Sequence, residues 1–360
     1  MTRKSADGQG RHTIRDVAAR AGVSASTVSR VLGGEYPVSA QTRTRVMRAV
    51  AALDYVPDAR AKAIAGTGTP TLAFVLDDIT GPSFTHMAHG VEREATRLGH
   101  LCLVHSTDGN AEQLSAFVEM MRAQRAAAVI LVGGAHSSPA YEERAAHWAR
   151  ALHAARSRLV LCGRGPLAPK ANVDGAEQAP VTVVEYDNES GAHALTAHLL
   201  GRGHRRVLFL GGSPDNTTLQ GRERGYAAAH RALGLEPDPS LRLPGDFTRD
   251  SGHRLMRRAL AERLDFTAVF AATDMVAAGA LTALHEAGLS VPGDVSLAGY
   301  DDIPFARDLF PALTTVHVPY EELGRLAVRT ALTRDPDGPD EHLLLGTHVV
   351  VRDSTAPAAD

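Results

Sequence analysis

The chain has 360 residues, 44 % of them hydrophobic, and a formal net charge of −3. That is enough apolar material for a small head and a sizeable core in two further lobes. No apolar run is long enough to span a bilayer, and Met1-Thr2-Arg3-Lys4-Ser5 leads into polar sequence without an apolar signal core, so the expected location is the cytoplasm. Read in chain order, residues 13–32 predict two short helices around a glycine turn. Ile14, Val17 and Ala18 recur at helical spacing, Gly22 permits the turn, and Ser24 can cap a second helix with the stripe Val28, Val31 and Leu32. The other face of that helix carries Ser26, Thr27, Ser29 and Arg30, side chains suited to base edges and phosphates. Ser39 caps a third amphipathic helix buried through Val46, Ala49, Val50 and Leu53, which Tyr55-Val56-Pro57-Asp58 terminates. A short helix-prone segment, 59–66, follows.

Charge divides the chain at the same place. Residues 1–66 carry about +6 and the remainder about −9, which confines a phosphate-binding surface to one end. These cations are interleaved with an apolar helical pattern, unlike those of a solvated basic tail.

Beyond Gly66 short apolar runs alternate with helical stretches. Strands are predicted at 71–76, 100–104, 128–132, 159–162, 206–210, 268–271 and 295–299. Helices are predicted at 84–98, 112–122, 142–154, 188–200 and 222–233. Strands apolar on both faces and separated by helices imply parallel sheets covered on each side, here in two α/β lobes with a cleft between them. The two cysteines, Cys102 and Cys162, sit in apolar stretches and read as buried thiols. His86 and His89 share helical spacing but have no Cys or acidic companions, so no metal site and no cofactor is expected.

The order Asp-Val-Ala (16–18), Ala-Gly-Val-Ser (21–24), Thr-Val-Ser-Arg-Val-Leu (27–32), Val-Ser-x-x-Thr-Arg (38–43) and Tyr-x-Pro (55–57) is similar to the LacI family of transcriptional repressors. Later landmarks extend the resemblance over nearly the whole chain: Asp78 to Phe84, Arg222-x-x-Gly-Tyr, Gly245-Asp-Phe, Ala272-Thr-Asp, Gly299-Tyr-Asp-Asp, Leu313-Thr-Thr-Val and the closing Val351-Arg-Asp-Ser-Thr. The resemblance implies a helix-turn-helix DNA-binding head (11–58), a hinge helix and linker (59–69), and a periplasmic-binding-protein-like effector and dimerisation domain (70–356). It implies a homodimer on a palindromic double-stranded DNA operator, controlled by a small molecule, expected to be a carbohydrate. Ala25, Ser26 and Arg30 would face the bases, with Thr27 on the same face. Ser24, Ser39, Thr42 and Arg43 would fix position on phosphates, and Ile64 would wedge into the minor groove. In the cleft, Arg222 would donate to the effector and Asp301 accept from it, between the rings of Phe84 and Phe247, with Thr218 and Asp274 as further contacts. Each has a plainer alternative: Phe84 as core, Asp301 in a loop turn, Asp274 as a helix cap.

Departures from the family pattern bear on the effector. Gly163 stands where relatives have an aspartate, Ser83 where they often have an aromatic ring, and Ile64 where leucine is usual; Gly33 and Ala126-Ala127-Ala128 also depart. No leucine heptad follows Thr355, which argues for a dimer. A solute-binding protein would need an export signal and no DNA-binding head. An enzyme would need a catalytic constellation, and no P-loop, nucleophile elbow or zinc set is present.

Overall fold

The computed structural model describes residues 12–33, 38–56, 70–136, 138–167, 179–333, 338 and 341–358. The chain parts into two compact units, Met1–Thr69 and Pro70–Asp360. The hinge helix expected at 59–69, including Ile64, lies outside the described residues.

The first unit holds three helices, α1 (Ile14–Ala21), α2 (Ala25–Gly33) and α3 (Ala40–Ala52). Val17, Val28 and Val46, one from each, are wholly buried together. Gly22 takes a left-handed conformation at φ +63°, turning the chain between α1 and α2 without a Cβ penalty. Ser24 Oγ accepts from the Thr27 N–H at 3.1 Å and Ser39 Oγ from the Thr42 N–H at 3.2 Å, so both predicted caps form.

The second unit is built on two parallel sheets. In the N-lobe the order is β11-β5-β4-β3-β1-β2, from β1 (Thr71–Leu76), β2 (Leu101–Ser106), β3 (Ala128–Val132), β4 (Arg158–Cys162), β5 (Val181–Tyr186) and β11 (Glu341–Leu345). In the C-lobe it is β7-β6-β8-β9, from β6 (Val207–Leu210), β7 (Arg242–Leu243), β8 (Ala268–Ala271) and β9 (Ser296–Ala298). A separate antiparallel pair joins β10 (Thr315–His317) to β12 (His348–Val350). Alternate residues of β1 serve two cores: Leu72, Phe74 and Leu76 on one face, Ala73 and Val75 on the other. That two-sided burial is why these strands read as continuous apolar runs.

Helices α4 (Pro82–Arg97), α5 (Ala111–Ala123), α6 (Pro139–Ala154) and α12 (Tyr320–Thr333) cover the N-lobe sheet. The C-lobe carries α7 (Asn188–Gly201), α8 (Thr217–Ala232), α9 (Arg249–Ala261), α10 (Asp274–Glu286) and the short α11 (Phe305–Asp308). The chain crosses between lobes three times, after β5, after β10 and after β11. Sequence reading missed strands β5, β7, β10, β11 and β12 and helices α9, α10, α11 and α12, and placed the start of α8 at Arg222 where the helix already begins at Thr217.

At the crossing of α4 and α12, a Cβ on Gly90 would collide with the Glu321 carbonyl, so only glycine permits this approach. Beside it the buried Glu94 carboxylate takes Arg97 Nη2 at 2.7 Å and Arg329 Nε at 3.1 Å. The hydrogen bond from Arg97, helped by Arg329 against the cost of burial, lowers the Glu94 pKa from 4.5 to about 2. A carboxylate depressed in the folded state adds stability that is present above its unfolded value and lost as pH falls through its folded value. Glu94→Gln should therefore lower stability at pH 7 and flatten the acid limb between pH 4.5 and about 2. Urea unfolding across that range would show it; parallel curves for the two proteins would remove Glu94 from the account.

Candidate functional site

Both parallel sheets point the carboxyl ends of their strands at the space between the lobes. This is where loops leaving a parallel sheet diverge and ligands bind. A cavity of about 270 Å³ lies there. Asp77 and Asp78 reach it from the end of β1, Gly133 from β3, Gly163 from β4 and Tyr186 from β5. From the other side come Asn216 and Thr218 at the start of α8, Phe247 after β7, Thr273 and Met275 after β8, and Asp301 after β9.

Five of the six residues predicted for the effector line this cavity: Phe84, Thr218, Arg222, Phe247 and Asp301. Arg222 is 1 % exposed and fully engaged. Its Nε donates to Asn188 Oδ1 at 3.0 Å, Nη1 to the Ala272 carbonyl, and Nη2 to Asp301 Oδ1 at 3.0 Å and to the Tyr186 hydroxyl at 3.5 Å. The guanidinium also lies 3.7 Å above the Tyr300 ring. Burial works against its charge, but the Asp301 carboxylate and the surrounding tyrosines outweigh that and hold its pKa above the ordinary value. Asp301 Oδ1 receives a second bond, from the Tyr320 hydroxyl at 2.8 Å. Asp301 holds φ at +112° and Asp302 at +54°, so the loop turns its carboxylate under the cavity through an unusual backbone conformation.

Asp274 is a correction. It is wholly buried below the cavity, where Oδ1 accepts from Thr315 Oγ1 at 2.5 Å and Oδ2 from the Ile303 N–H at 2.9 Å. Burial, then the charge of Asp301, pushes its pKa well above the ordinary range. It braces the loop that carries Asp301 and does not reach the cavity wall.

The remaining polar groups are poised differently. The Thr218 hydroxyl is buried and makes no hydrogen bond among the described residues. Asn216 Oδ1 caps α8 by accepting from Thr218 N at 2.9 Å, which leaves its amide N–H groups for the cavity. Ser83 and Gly163, two of the family departures, both stand on the wall, and Gly163 adopts φ +74°. Sequence reading missed Asp77, Tyr186, Asn216, Met275 and Tyr320 as lining residues. Opposite the crossovers the lobes touch directly: Ala135 N donates to Thr217 Oγ1 at 3.1 Å and Thr217 N to the Ala135 carbonyl at 3.0 Å.

In the first unit, Ser26, Arg30 and Arg43 are exposed, and Thr27 and Thr42 partly so. Ala25 packs in part against the head core, which limits what it offers a base. The Ser24 and Ser39 hydroxyls are already engaged as caps. His86 and His89 are exposed on α4, and no group of three metal-ligating side chains occurs among the described residues. Cys162 lies 3.5 Å from Met87 Sδ, and burial raises its thiol to about 12. Among the described residues no helix is long and apolar enough to cross a membrane.

A three-helix head with a capped, partly exposed second helix, together with a two-lobed unit whose largely apolar cleft carries a few fixed polar groups, defines a ligand-responsive DNA-binding regulator. Residues 13–58 match the lacI family of bacterial regulatory proteins, and residues 196–355 match a periplasmic binding protein-like domain. The chain is 30 % identical over 323 residues to the ribose operon repressor of Escherichia coli (strain K12), spanning 89 % of this chain and 92 % of that one. It is 30 % identical over 349 residues to the HTH-type transcriptional repressor PurR of Aliivibrio fischeri, spanning 96 % and 98 %. Its fold matches the lac repressor dimer bound to operator and the anti-inducer ONPF, with TM-score 0.79, 25 % identity, and coverage of 96 % and 100 %. A complex of the regulator CelR with cellobiose matches with TM-score 0.66 at 31 % identity, again covering 96 % and 100 %. The chain belongs to the LacI family.

Removing one partner of a buried ion pair leaves the other charge uncompensated, which costs about 3–5 kcal/mol. Asp301→Asn should therefore destabilise the second unit on that scale in denaturant unfolding. A variant as stable as the parent would show that Arg222 is held by its other partners alone.

Proposed function

We propose that the protein is a repressor that binds a near-palindromic DNA operator as a homodimer and changes occupancy when a small polar molecule, a sugar or sugar derivative, enters the inter-lobe cavity. The observation that carries this reading is the cavity itself. It places two aromatic rings, Phe84 and Phe247, beside the Asp301 carboxylate and an unpartnered Thr218 hydroxyl. Rings offer apolar faces to a sugar, and fixed donors and acceptors meet its hydroxyls. At about 270 Å³ the cavity is near the low end of small-molecule pockets, about 300–1,000 Å³, and suits one sugar ring. The relatives support the same class: one is a ribose operon repressor and one solved neighbour holds cellobiose.

In the head, Arg30 is the side chain best able to take a guanine through two parallel hydrogen bonds. Arg43 and Thr42 act on phosphates. Pairing of two chains is supported by the edge strand β2, where Leu101 is 58 % and Val104 47 % exposed, with Met120 of α5 at 46 %. Such an apolar sheet edge invites pairing with a second copy. Catalysis has no counterpart in this reading, because the relatives are repressors and the cleft carboxylates are each engaged, Asp301 by Arg222, Asp78 by Thr80 and Asp77 by Thr107.

Selection of binding sites from random duplex DNA by the full-length protein should enrich a palindrome, with affinity falling steeply as salt rises. Arg30→Ala should weaken the selected site by about 1–3 kcal/mol and relax preference at one base pair per half-site. Recovery of no enriched sequence would defeat the regulator reading, and an unchanged site preference in the variant would move base reading off Arg30.

A titration of the operator complex with sugars should find one that changes occupancy. Thr218→Val keeps the side-chain shape and removes a hydroxyl that makes no hydrogen bond among the described residues, so it should leave stability nearly unchanged and weaken that sugar about tenfold, a loss on the scale of one hydrogen bond. Equal sensitivity of both proteins to the sugar would place it away from Thr218.

A further inference from the structure

A second chamber of about 120 Å³ adjoins the effector cavity, and Asp77 and Gly134 stand on the walls of both. It has less than half the volume of the cavity, room for a substituent on a ring but not for the ring. Two arginines line it. Arg164, directly after β4, is 5 % exposed; its Nη2 donates to the Val132 carbonyl at 2.8 Å and its Nη1 to the Tyr141 hydroxyl at 3.3 Å. Its Nε–H is buried with no acceptor, and so is the Nε–H of Arg144 on α6. Neither guanidinium is paired with a carboxylate among the described residues.

A guanidinium in a closed space normally meets an acid, because its buried donors are costly to leave unmet. Here the one acid on the chamber wall is Asp77, whose Oδ1 accepts from Thr107 Oγ1 at 3.1 Å. The amino end of α5, at Asn110 and Ala111, adds the positive end of a thirteen-residue helix to the same wall. Two cations with unmet donors and a helix amino terminus are complementary to an oxyanion.

We propose that the effector is a sugar bearing an acidic group, phosphate or carboxylate. Its ring lies between Phe84 and Phe247, and its anionic group enters the chamber and is held by Arg144 and Arg164. The inference rests on the cleft being the effector site. It also accounts for Gly163 and Ser83 on the cavity wall: small residues there leave room for a substituent to project from the ring.

The chamber carries its own reporter. Trp148, the single tryptophan of the chain, is 2 % exposed on its wall, so its emission reads events in that space. The full-length protein is titrated with glucose, glucose 6-phosphate and glucuronate, and with ribose and ribose 5-phosphate, following Trp148 emission and operator occupancy together. An acidic member of the set should shift the emission saturably at a concentration at least tenfold below its neutral parent. Arg144→Gln and Arg164→Gln should each raise that concentration at least tenfold while operator binding without sugar is unchanged. The phosphate and glucuronate arms identify which oxyanion the chamber takes. Arg144 is only partly buried, so its variant keeps the test open if loss of the buried Arg164 disturbs folding. Neutral parents binding as tightly as acidic ones, variants binding like the parent protein, or no acidic compound moving the emission would each overturn the proposal. If a neutral sugar alters operator occupancy through Thr218 and ignores both arginine substitutions, the chamber falls and the cleft reading stands. If an acidic sugar shifts Trp148 through both arginines and never alters occupancy, the effector reading itself falls.

Discussion

The burial of Arg222 is the constraint around which the second unit is arranged. Taking a guanidinium out of water costs several kcal/mol unless its charge and donors are met. Here they are met by groups from three strand ends and one helix start: the Tyr186 hydroxyl at the end of β5, the Ala272 carbonyl after β8, and Tyr300 and Asp301 after β9, with Asn188 opening α7. No single loop could satisfy the group, so the loops are fixed relative to one another. Tyr186 ends the strand before the first lobe crossover and Tyr320 opens the helix after the second, and both bond into this network. The floor of the cleft and its hinge are therefore one hydrogen-bonded structure.

Across the cleft from that hinge, the lobes are joined more lightly, by the reciprocal bonds of Ala135 and Thr217. A body rigid on one side and lightly clasped on the other has an obvious mode of motion, rotation of one lobe against the other about the crossovers. A ligand shifts such an equilibrium only by its difference in affinity for the two arrangements; moving a population from 1:99 to 99:1 requires about 5.5 kcal/mol. Contacts confined to one lobe contribute nothing to that difference. The cavity draws Phe84 and Asp78 from one lobe and Thr218, Phe247 and Asp301 from the other, so a ligand that spans it is sensitive to the angle between them.

Much of this was legible before the structure. The strands of both sheets are buried on two faces, so they read as uninterrupted apolar runs, and the Arg222-x-x-Gly225 pattern located the central cation. Gly225 is legible for a packing reason: a Cβ there would meet the Glu189 carbonyl, so glycine lets α8 lie against α7. What escaped included three full-length helices, α9, α10 and α12, along with several short strands. Val181 to Tyr186 is a plainly β-branched run, yet the sequence ahead of it, rich in Ala, Pro and Gly, offers no helical periodicity to frame it as part of the alternation. β11 is an edge strand with only partial burial, and β7, β10 and β12 have two or three residues each. Tyr186 and Tyr320 escaped with their elements, since an aromatic residue at the end of a strand or the start of a helix reads first as core. Asp274 misled in the opposite direction. The family resemblance offered it as an effector contact, but its carboxylate is tied to Thr315 and the Ile303 amide, more than 25 positions away in the chain.

The head shows the reverse economy. Among the described residues its core rests on seven buried side chains, all valine or alanine. Two of the hydroxyls on the candidate DNA face, Ser24 and Ser39, are already committed to capping helices, and Ala25 is partly turned into the core. What remains free to read sequence from α2 is narrow, chiefly Arg30 with Ser26. A good bidentate contact is worth about 1–3 kcal/mol of discrimination, while specific DNA complexes are about 4–10 kcal/mol tighter than nonspecific ones. One such head cannot close that gap from base contacts alone. In the proposed dimer, two heads on one palindrome would double the reading, with phosphate contacts from cations such as Arg43 fixing its register. In the proposed reading the apolar edge of β2 on the second unit would thus answer a requirement set by the first: with so few side chains available to read bases, specificity would depend on a second copy of the chain.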